Sequence, residues 1–212
     1  MIPYSRMTNL KASHWDSVYR ARTATEVSWY EARPEKSMEL IRSTAISTDD
    51  PIVDVGAGAS LLVDELLNAG YRDLTVLDIS ATALERMRER LGARGSSLSL
   101  VREDVTVFQP NRLYALWHDR AVFHFMVQKE DRELYVETLR RALRPAGHVV
   151  MATFGPEGPE RCSGLSTARY DAVSLAAELG PDFQLVDSVV VVHRTPWNTP
   201  QQFLYCHWQR KS

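Results

Sequence analysis

The feature that most constrains the fold is a glycine-rich turn placed between a buried-strand pattern and a helical pattern. Residues 51–55 form a short apolar run, and the segment Gly56-Ala-Gly-Ala-Ser60 follows it, before leucines at helical spacing begin at Leu61. Glycines let a backbone approach a ligand closely, and the start of a helix attracts a negatively charged group. The pattern predicts a ligand site at the carboxyl end of a strand, although simple tight turns use glycines in the same way.

Strand and helix patterns alternate through the middle of the chain. After the first strand, further strands are predicted at residues 74–77, 98–101, 113–117 and 148–154. Helices are predicted at residues 81–91 and 132–143. Alternation of this kind indicates a parallel sheet whose connections are right-handed crossovers.

Two β-rich runs near the end of the sequence break this alternation. Residues 183–193 and 201–208 are joined only by residues 194–200, a connection too short for a parallel crossover. These two strands are therefore expected to pair antiparallel. The predicted fold class is a doubly wound, mostly parallel α/β sheet that carries an antiparallel strand at one edge.

Composition argues against several classes of protein. The formal net charge of -2 disfavours nucleic-acid binding by bulk electrostatics, and the longest apolar runs are too short to cross a bilayer. Residues 1–11 lack the apolar core of a signal peptide, and two cysteines, Cys162 and Cys206, do not make a disulfide framework. With His193 they match no zinc spacing, so no metal site is expected. We expect a cytoplasmic protein without nucleic-acid or membrane partners. The sequence does not indicate its oligomeric state.

Acidic residues mark the ends of three successive strands of the predicted sheet. Asp54 belongs to the first strand, Asp78 follows the second, and Asp104 follows the third. The two oxygens of Asp78 can accept hydrogen bonds from both hydroxyls of a ribose, and Asp104 is placed to reach an adenine amino group. Each residue alone is more often a helix cap, but the three together predict a ligand rim. A dinucleotide-binding turn would carry a third glycine at the position of Leu61.

These motifs resemble those of the class I S-adenosylmethionine-dependent methyltransferases, and the resemblance covers roughly residues 13–209. The matching segments are Asp54-Val-Gly-Ala-Gly58, Leu77-Asp-Ile79, Glu103-Asp-Val105, Trp117 to Phe125, and Leu143-Arg-Pro-Ala-Gly147. The resemblance implies a Rossmann-like methyltransferase fold with a seven-stranded sheet and an antiparallel seventh strand. It also implies S-adenosyl-L-methionine as the cofactor and S-adenosyl-L-homocysteine as the product.

A weaker resemblance concerns the N-terminal segment. The pattern Trp15-Asp-Ser-Val-Tyr19, followed by Val27-Ser-Trp-Tyr30, is similar to the segment that covers the cofactor in several small-molecule and lysine methyltransferases. The alternative is that Trp15 and Trp29 only pack an N-terminal helix on the sheet. Asp119-Arg-Ala-Val122 resembles thiopurine methyltransferase, with Ala121 in place of the usual glycine. By resemblance, the cofactor-binding residues are Trp29, Tyr30, Asp54, Gly56, Gly58, Ser60, Asp78, Ile79, Asp104, Val105 and His118.

The chain is expected to form a single methyltransferase domain with three parts. These are an N-terminal helical cover (residues 1–50), a cofactor-binding half (51–154), and an acceptor-side half that ends in the antiparallel hairpin (155–212). The acceptor pocket is expected from residues 155–170 and 193–197, because loops at strand ends carry function in such sheets.

Methyl transfer from a sulfonium requires a nucleophile that is held close and in line, and it requires a base only where the nucleophile arrives protonated. The candidate catalytic residues near the expected methyl group are His118, Asp119 and His124. His118 or Asp119 can instead bind the amino group of the donor. Each histidine can equally be a hydrogen-bonded structural group.

The predicted function is S-adenosylmethionine-dependent methyl transfer to an O, N or S nucleophile of a small molecule. The alternatives are a protein lysine methyltransferase and a non-catalytic cofactor-binding subunit. The sequence contains no Asn-Pro-Pro-Tyr motif, which disfavours methylation of a base or of a glutamine amide. An enclosed apolar pocket would favour a small molecule, whereas an open acidic groove would favour a protein lysine.

Overall fold

The computed structural model describes the backbone of residues 4–212 and the side chains of residues 9–212. The α-helices are α1 (Tyr4–Ala21), α2 (Glu35–Ser43), α3 (Leu62–Asn68), α4 (Ala81–Leu91), α5 (Lys129–Ala142) and α6 (Ala172–Leu179). Short 3₁₀ turns lie at Ala24–Glu26, Gly92–Ser97 and Phe123–Phe125. The strands are β1 (Ile52–Val55), β2 (Leu74–Asp78), β3 (Ser99–Arg102), β4 (Tyr114–Arg120), β5 (Leu143–Phe154), β6 (Arg161–Cys162), β7 (Leu165–Ser166), β8 (Phe183–Arg194) and β9 (Pro200–Arg210).

A seven-stranded sheet forms the centre of the structure, in the order β3-β2-β1-β4-β5-β9-β8, and β6 and β7 form a separate two-stranded hairpin. β1 pairs in parallel with β2 on one side and with β4 on the other. From β1 the chain forms β2 and β3 on one side, and it then returns to form β4 and β5 on the other side of β1. Sheets of this kind bind ligands at such a switch point, in the crevice beyond the carboxyl ends of the strands.

The predicted fold class, a doubly wound, mostly parallel seven-stranded sheet with an antiparallel edge strand, is confirmed. β8 and β9 pair antiparallel, because residues 195–199 between them are too few for a crossover. β9 also pairs antiparallel with β5. The antiparallel strand itself therefore lies one position inside the sheet, and β8 forms the edge.

The central strands are buried almost throughout because both faces of the sheet are covered. Every residue of β1 and β2 is buried, as expected for parallel strands between two layers. Adjacent residues of β4 belong to different core clusters: Trp117 packs with Tyr135 of α5, and Leu116 packs in the cluster that contains Ile41 of α2. Among residues 4–212, no helix is long and apolar enough to cross a membrane.

Two strand boundaries differ from the sequence-based expectation. β4 continues to Arg120, so His118 lies inside the strand instead of following it. β5 begins at Leu143, and its register against β4 is interrupted by an irregularity after Tyr114. The predicted Pro-Ala-Gly turn lies within this irregularity, where Ala146 has a φ of 57°. The turn is therefore accommodated as a bulge inside a longer strand.

The segment after β5 is more regular than its sequence indicates. No element was predicted between residues 155 and 182, but this segment contains the β6–β7 hairpin and α6. α6 begins with a capping box, in which the backbone N–H of Ser174 donates to Asp171 Oδ1 at 2.7 Å and the backbone N–H of Asp171 donates to Ser174 Oγ at 3.0 Å. Local capping thus explains a helix that apolar periodicity did not indicate.

Candidate active site

A cavity of about 430 Å³ lies at the carboxyl ends of the parallel strands, at the switch point between β1 and β4. Most of its lining is apolar. The N-terminal segment covers the cavity, which also reaches the ends of β5 and β9. Most of the residues expected to bind the cofactor line this cavity, namely Trp29, Tyr30, Asp54, Gly56, Ser60, Asp78, Ile79, Asp104, Val105 and His118.

Any side chain would be strained at two positions of the glycine turn after β1. Gly56 and Gly58 have φ values of +62° and +53°, which side chains rarely adopt. A Cβ atom on Gly56 would lie 2.0 Å from Val122 Cγ2, and one on Gly58 would lie 2.1 Å from the Tyr19 hydroxyl. Gly58 does not itself line the cavity, but its backbone N–H donates to Asp78 Oδ2 at 2.8 Å.

Asp78 at the end of β2 is buried and hydrogen-bonded to the backbone. Its Oδ1 accepts the N–H of Ser80 at 2.7 Å, and Oδ2 accepts the N–H of Gly58. Burial raises the pKa of Asp78 to about 6, although these hydrogen bonds act in the opposite direction. The cap of α4 is Ser80, whose Oγ accepts the N–H of Ala83, so Asp78 is not the cap of this helix. Each carboxylate oxygen keeps acceptor capacity for a ligand.

Among the described residues, two buried carboxylate oxygens of the cavity wall have no hydrogen-bond partner. Asp104 Oδ1 accepts the N–H of Thr106 at 3.0 Å and its hydroxyl at 2.7 Å, but Asp104 Oδ2 is unpartnered. Asp54 Oδ2 is unpartnered as well. Leaving such an atom unpaired costs about 1–3 kcal/mol. These two oxygens therefore indicate a ligand that donates hydrogen bonds at both positions.

His118 lines the cavity, but both of its ring nitrogens are engaged. Nδ1 lies 2.7 Å from Asp54 Oδ1, and Nε2 lies 2.9 Å from the hydroxyl of Ser37 on α2. His118 and Asp54 are neighbours on adjacent parallel strands and are both buried. The histidine therefore holds the Asp54 carboxylate in place. A ring in these two bonds has no free nitrogen to receive a proton from an acceptor.

The other two candidate catalytic residues do not line the cavity. Asp119 is fully buried, and its oxygens accept the N–H groups of Val122 at 2.9 Å and Phe123 at 3.1 Å and the hydroxyl of Tyr135. Burial raises the pKa of Asp119 to about 6. The structure corrects the expectation from sequence: Asp119 stabilises the turn after β4, because alternation along the strand directs it to the face opposite His118.

His124 is likewise buried behind the cavity wall. Its ring stacks on Phe154 with 4.2 Å between centroids, and Nδ1 accepts the N–H of Phe154 at 3.2 Å. Burial, with a contribution from Arg120, lowers the pKa of His124 to about 3. The imidazole is therefore neutral at physiological pH and packs as an aromatic ring, which argues against the expected role as a base.

The N-terminal segment both packs on the sheet and covers the cavity. Trp15 makes edge contacts with Trp29 at 5.9 Å and Phe125 at 5.1 Å between centroids. Asp16 Oδ1 accepts the hydroxyl of Ser80 at 2.6 Å and the N–H of Thr82 at 3.1 Å, which fastens α1 to the start of α4. Packing on the sheet and covering the cavity, the two interpretations of this segment, therefore involve the same contacts. The packed aromatic residues form part of the cavity wall.

A group of charged and aromatic residues beyond β4 was not identified from the sequence. Arg120 donates to the Tyr205 hydroxyl at 2.8 Å and to the Trp29 carbonyl at 2.9 Å, and its Nη2 lies 3.0 Å from Glu31 Oε1. This last contact is an ion pair by distance but lacks the alignment of a hydrogen bond. Burial alone would lower the pKa of Arg120, but Tyr205 and Glu31 outweigh it and raise that pKa.

The loops expected to form the acceptor pocket contribute only in part. Of residues 155–170, Cys162, Leu165 and Ser166 line the cavity. Residues 193–197 do not line it, although His193 Nδ1 lies 3.9 Å from Glu31 Oε1. Among the residues that the structure describes, no cluster of three or more His, Cys, Asp or Glu side chains is arranged as a metal site.

Comparisons with known proteins agree with this geometry. The family described as "Methyltransferase domain" matches residues 52–147. The chain is 25% identical, over 151 residues, to the eEF1A lysine and N-terminal methyltransferase of Mus musculus, and the match covers 71% of this chain and 21% of that protein. The chain thus spans about a fifth of the length of this relative.

Solved structures share the fold. The N-methyltransferase NodS from Bradyrhizobium japonicum WM9, in complex with S-adenosyl-l-homocysteine, superposes with a TM-score of 0.70 at 18% identity, covering 94% of this chain and 100% of NodS. The 1,6-didemethyltoxoflavin-N1-methyltransferase of Burkholderia thailandensis superposes with a TM-score of 0.73 at 18% identity, covering 100% of this chain and 92% of that one.

The fold is the Rossmann-like fold of these methyltransferases, and the cavity lies at the ends of its parallel strands. Residues 52–147 match the methyltransferase-domain family, and the chain resembles the class I S-adenosylmethionine-dependent methyltransferases. The expected cofactor of the class, S-adenosyl-L-methionine, is confirmed.

Proposed function

We propose that this chain transfers the methyl group of S-adenosylmethionine to a nucleophile on a small molecule. The observation that carries the proposal is a covered, mostly apolar cavity in which Asp54 Oδ2 and Asp104 Oδ2 are buried without a partner. Buried polar atoms are almost always hydrogen-bonded, so these two oxygens call for donors that a ligand brings.

The residues of the cavity fit the cofactor. Asp78 would accept the ribose hydroxyls, Asp104 Oδ2 the adenine amino group, and Asp54 Oδ2 the amino group of the methionine part. Gly56 keeps the backbone bare where it lines the cavity, and the backbone N–H of Gly58 holds Asp78 Oδ2. When bound, the cofactor supplies a methyl group activated by a positively charged sulfur, and the acidic rim is complementary to that charge. The role of His118 is to hold Asp54 in place.

The acceptor end of the cavity supports a small molecule. It is bounded by Phe154, Phe203 and Leu165 and is covered by the segment that contains Trp29. A covered apolar pocket with a few polar groups is typical of small-molecule sites. In such a site, positioning of the nucleophile supplies much of the acceleration, about 7–11 kcal/mol at best.

A protein lysine methyltransferase is the second candidate. The mouse relative named above methylates lysine by its name, and it aligns with 71% of this chain. A lysine side chain is narrow enough to enter a covered pocket from outside. The third possibility, a cofactor-binding subunit without turnover, shares the same cofactor contacts.

Two measurements test the proposal. First, S-adenosylhomocysteine should raise the unfolding temperature, because it binds only the folded state, and NAD should leave it unchanged. Second, the protein is incubated with cell lysate and methyl-labelled cofactor, and the label is followed in ultrafiltrate and in precipitated protein. Label in a small molecule of the ultrafiltrate other than the cofactor itself supports a small-molecule acceptor, and label in protein supports the lysine alternative. Cofactor binding without any transfer indicates a non-catalytic subunit, and a shift with NAD alone contradicts the proposal.

A further inference from the structure

The acceptor end of the cavity lies on the opposite side of β1 from the acidic rim. Asp78 and Asp104 follow β2 and β3, whereas Arg120, Phe154 and Phe203 belong to β4, β5 and β9. Strands are about 4.8 Å apart, so the sheet order separates β2 from β5 by about 14 Å. Side chains beyond β4 are therefore placed to meet the acceptor, while the rim meets the nucleoside of the cofactor.

Glu31 is the acidic side chain in this part of the cavity wall. It lies in the N-terminal segment directly after Trp29 and Tyr30 and lines the cavity. All of its recorded contacts involve Oε1, which lies 3.0 Å from Arg120 Nη2, 3.5 Å from the Tyr205 hydroxyl and 3.9 Å from His193 Nδ1. Among the residues whose side chains the structure describes, none is a hydrogen-bond partner of Oε2. The carboxylate is thus held at one oxygen and free to accept at the other.

Arg120 is the basic group beside Glu31, and each of its guanidinium nitrogens contacts the protein. Lys11 and Asp131, which also line the cavity, pair with each other at 3.0 Å. The Nε, Nη1 and Nη2 of Arg120 contact Tyr205, the Trp29 carbonyl and Glu31, and its guanidinium lies over the ring of Phe203 at 4.8 Å. Arg120 therefore anchors Glu31. An acceptor that carries an anionic group would have to displace Glu31 from Arg120, whereas an acceptor that donates an N–H finds Oε2 available.

We propose that Glu31 is the acceptor-recognising residue and that the acceptor is a nitrogen nucleophile that keeps at least one N–H, held between the Glu31 carboxylate and the Phe154–Phe203 wall. This inference rests on the proposed methyl transfer. The nitrogen lone pair forms the new N–C bond while the methyl–sulfur bond breaks and its electron pair stays on sulfur. The nitrogen thereby gains a positive charge, which the carboxylate stabilises, and its N–H proton leaves to Glu31 Oε2 and then to water. An anionic oxygen or sulfur nucleophile would instead be repelled by the same carboxylate.

The test compares three probes that share one ring and differ only in the polar group: benzylamine, benzyl alcohol and benzoate. Their affinities are measured by calorimetry for protein saturated with S-adenosylhomocysteine, so that turnover is not needed. Benzylamine should bind at least about tenfold more tightly than the other two, because charge-assisted hydrogen bonds contribute about 1.5–3 kcal/mol. Equal or weaker binding of benzylamine, including no detectable binding of any probe, overturns the inference, and preference for benzoate assigns recognition to Arg120.

Glu31→Gln should abolish the preference for benzylamine while leaving the affinity for S-adenosylhomocysteine within about twofold, since the amide keeps the shape but loses the charge. Glu39→Gln is the matched control, because Glu39 is exposed on α2 and pairs with Lys36 on the same helix. A preference that survives in Glu31→Gln overturns the inference. If Glu31→Gln does not fold, the comparison of the three probes on the natural protein still decides whether the inference holds. Failure of S-adenosylhomocysteine to bind the natural protein would instead contradict the proposed function.

Discussion

His118 Nδ1 lies 2.7 Å from Asp54 Oδ1, across adjacent parallel strands and with both side chains buried. The second oxygen of Asp54 has no partner among the described residues, so the histidine fixes one carboxylate oxygen and leaves the other to a ligand. Under the proposed function, His118 positions the carboxylate that contacts the cofactor. We therefore expect His118, which the sequence also allowed as a general base, to affect cofactor affinity through Asp54.

His118→Ala should therefore weaken cofactor binding, and turnover should fall with it. We expect the affinity for S-adenosylhomocysteine to fall about tenfold, the loss of one charge-assisted hydrogen bond. Calorimetry measures the affinity, and Glu39→Gln serves as a control outside the cavity. A loss of turnover of about 100-fold or more with unchanged affinity would show that His118 is a general base after all.

Cofactor affinity should depend on pH through Asp78, whose pKa is raised to about 6 by burial. Ribose hydroxyls donate to the ionised carboxylate, so the affinity is complete above this pKa and is lost as pH falls through it. Below pH 6, the dissociation constant of S-adenosylhomocysteine should rise about tenfold per pH unit. In Asp78→Asn the affinity should be at least about tenfold weaker at neutral pH. An identical pH profile in Asp78→Asn would assign the titration to another group.

Gly58→Ala should destabilise the protein, because its new methyl group would lie 2.1 Å from the Tyr19 hydroxyl. The residue also has a φ of +53°, which adds backbone strain. We expect a loss of about 1–3 kcal/mol in the free energy of unfolding, measured with urea. Tyr19→Phe removes the clashing oxygen, so the double variant should recover part of the loss. If the changes in the free energy of unfolding of the two substitutions are strictly additive, the backbone conformation alone accounts for the loss in Gly58→Ala.

Asp16→Ala should loosen the N-terminal cover, since Asp16 joins α1 to Ser80 and Thr82 at the start of α4. The sheet should remain folded, because its core clusters do not include α1. The affinity for S-adenosylhomocysteine should fall, and α1 should become more accessible to limited proteolysis. Asp49→Ala, which removes an exposed carboxylate that pairs with Arg72, is the control. Global unfolding of Asp16→Ala would show instead that α1 is required for the fold.

Asp119→Asn should act on stability and not on cofactor affinity. The amide nitrogen cannot accept the bonds that both oxygens now accept from Val122, Phe123 and Tyr135. We expect the free energy of unfolding to fall by about 1–3 kcal/mol, because buried donors lose their partner. Turnover lost without a change in stability would return Asp119 to the candidate catalytic residues.

The cofactor half of the structure was accessible from sequence because its signals are local. A buried strand, a glycine turn and a helix follow one another within residues 51–68, and the short connection 194–200 permits only an antiparallel hairpin. The carboxyl ends of parallel strands meet at one edge, so Asp54, Asp78 and Asp104 were expected to meet there. The structure places all three in one cavity wall.

Only the tertiary structure decided which polar groups at these strand ends face the cavity. His118 and Asp119 are neighbours in the sequence, but alternation along β4 sends them to opposite faces, and the extent of β4 determines that outcome. The pairing of Glu31 with Arg120 joins segments that are remote along the chain, and no local pattern links them. The sequence by itself determined the fold class and the acidic rim, through hydrophobic periodicity and turn chemistry. The proposed acceptor end depends on how the N-terminal segment packs across β4 and β9, because only that packing brings Glu31 to Arg120 and Tyr205.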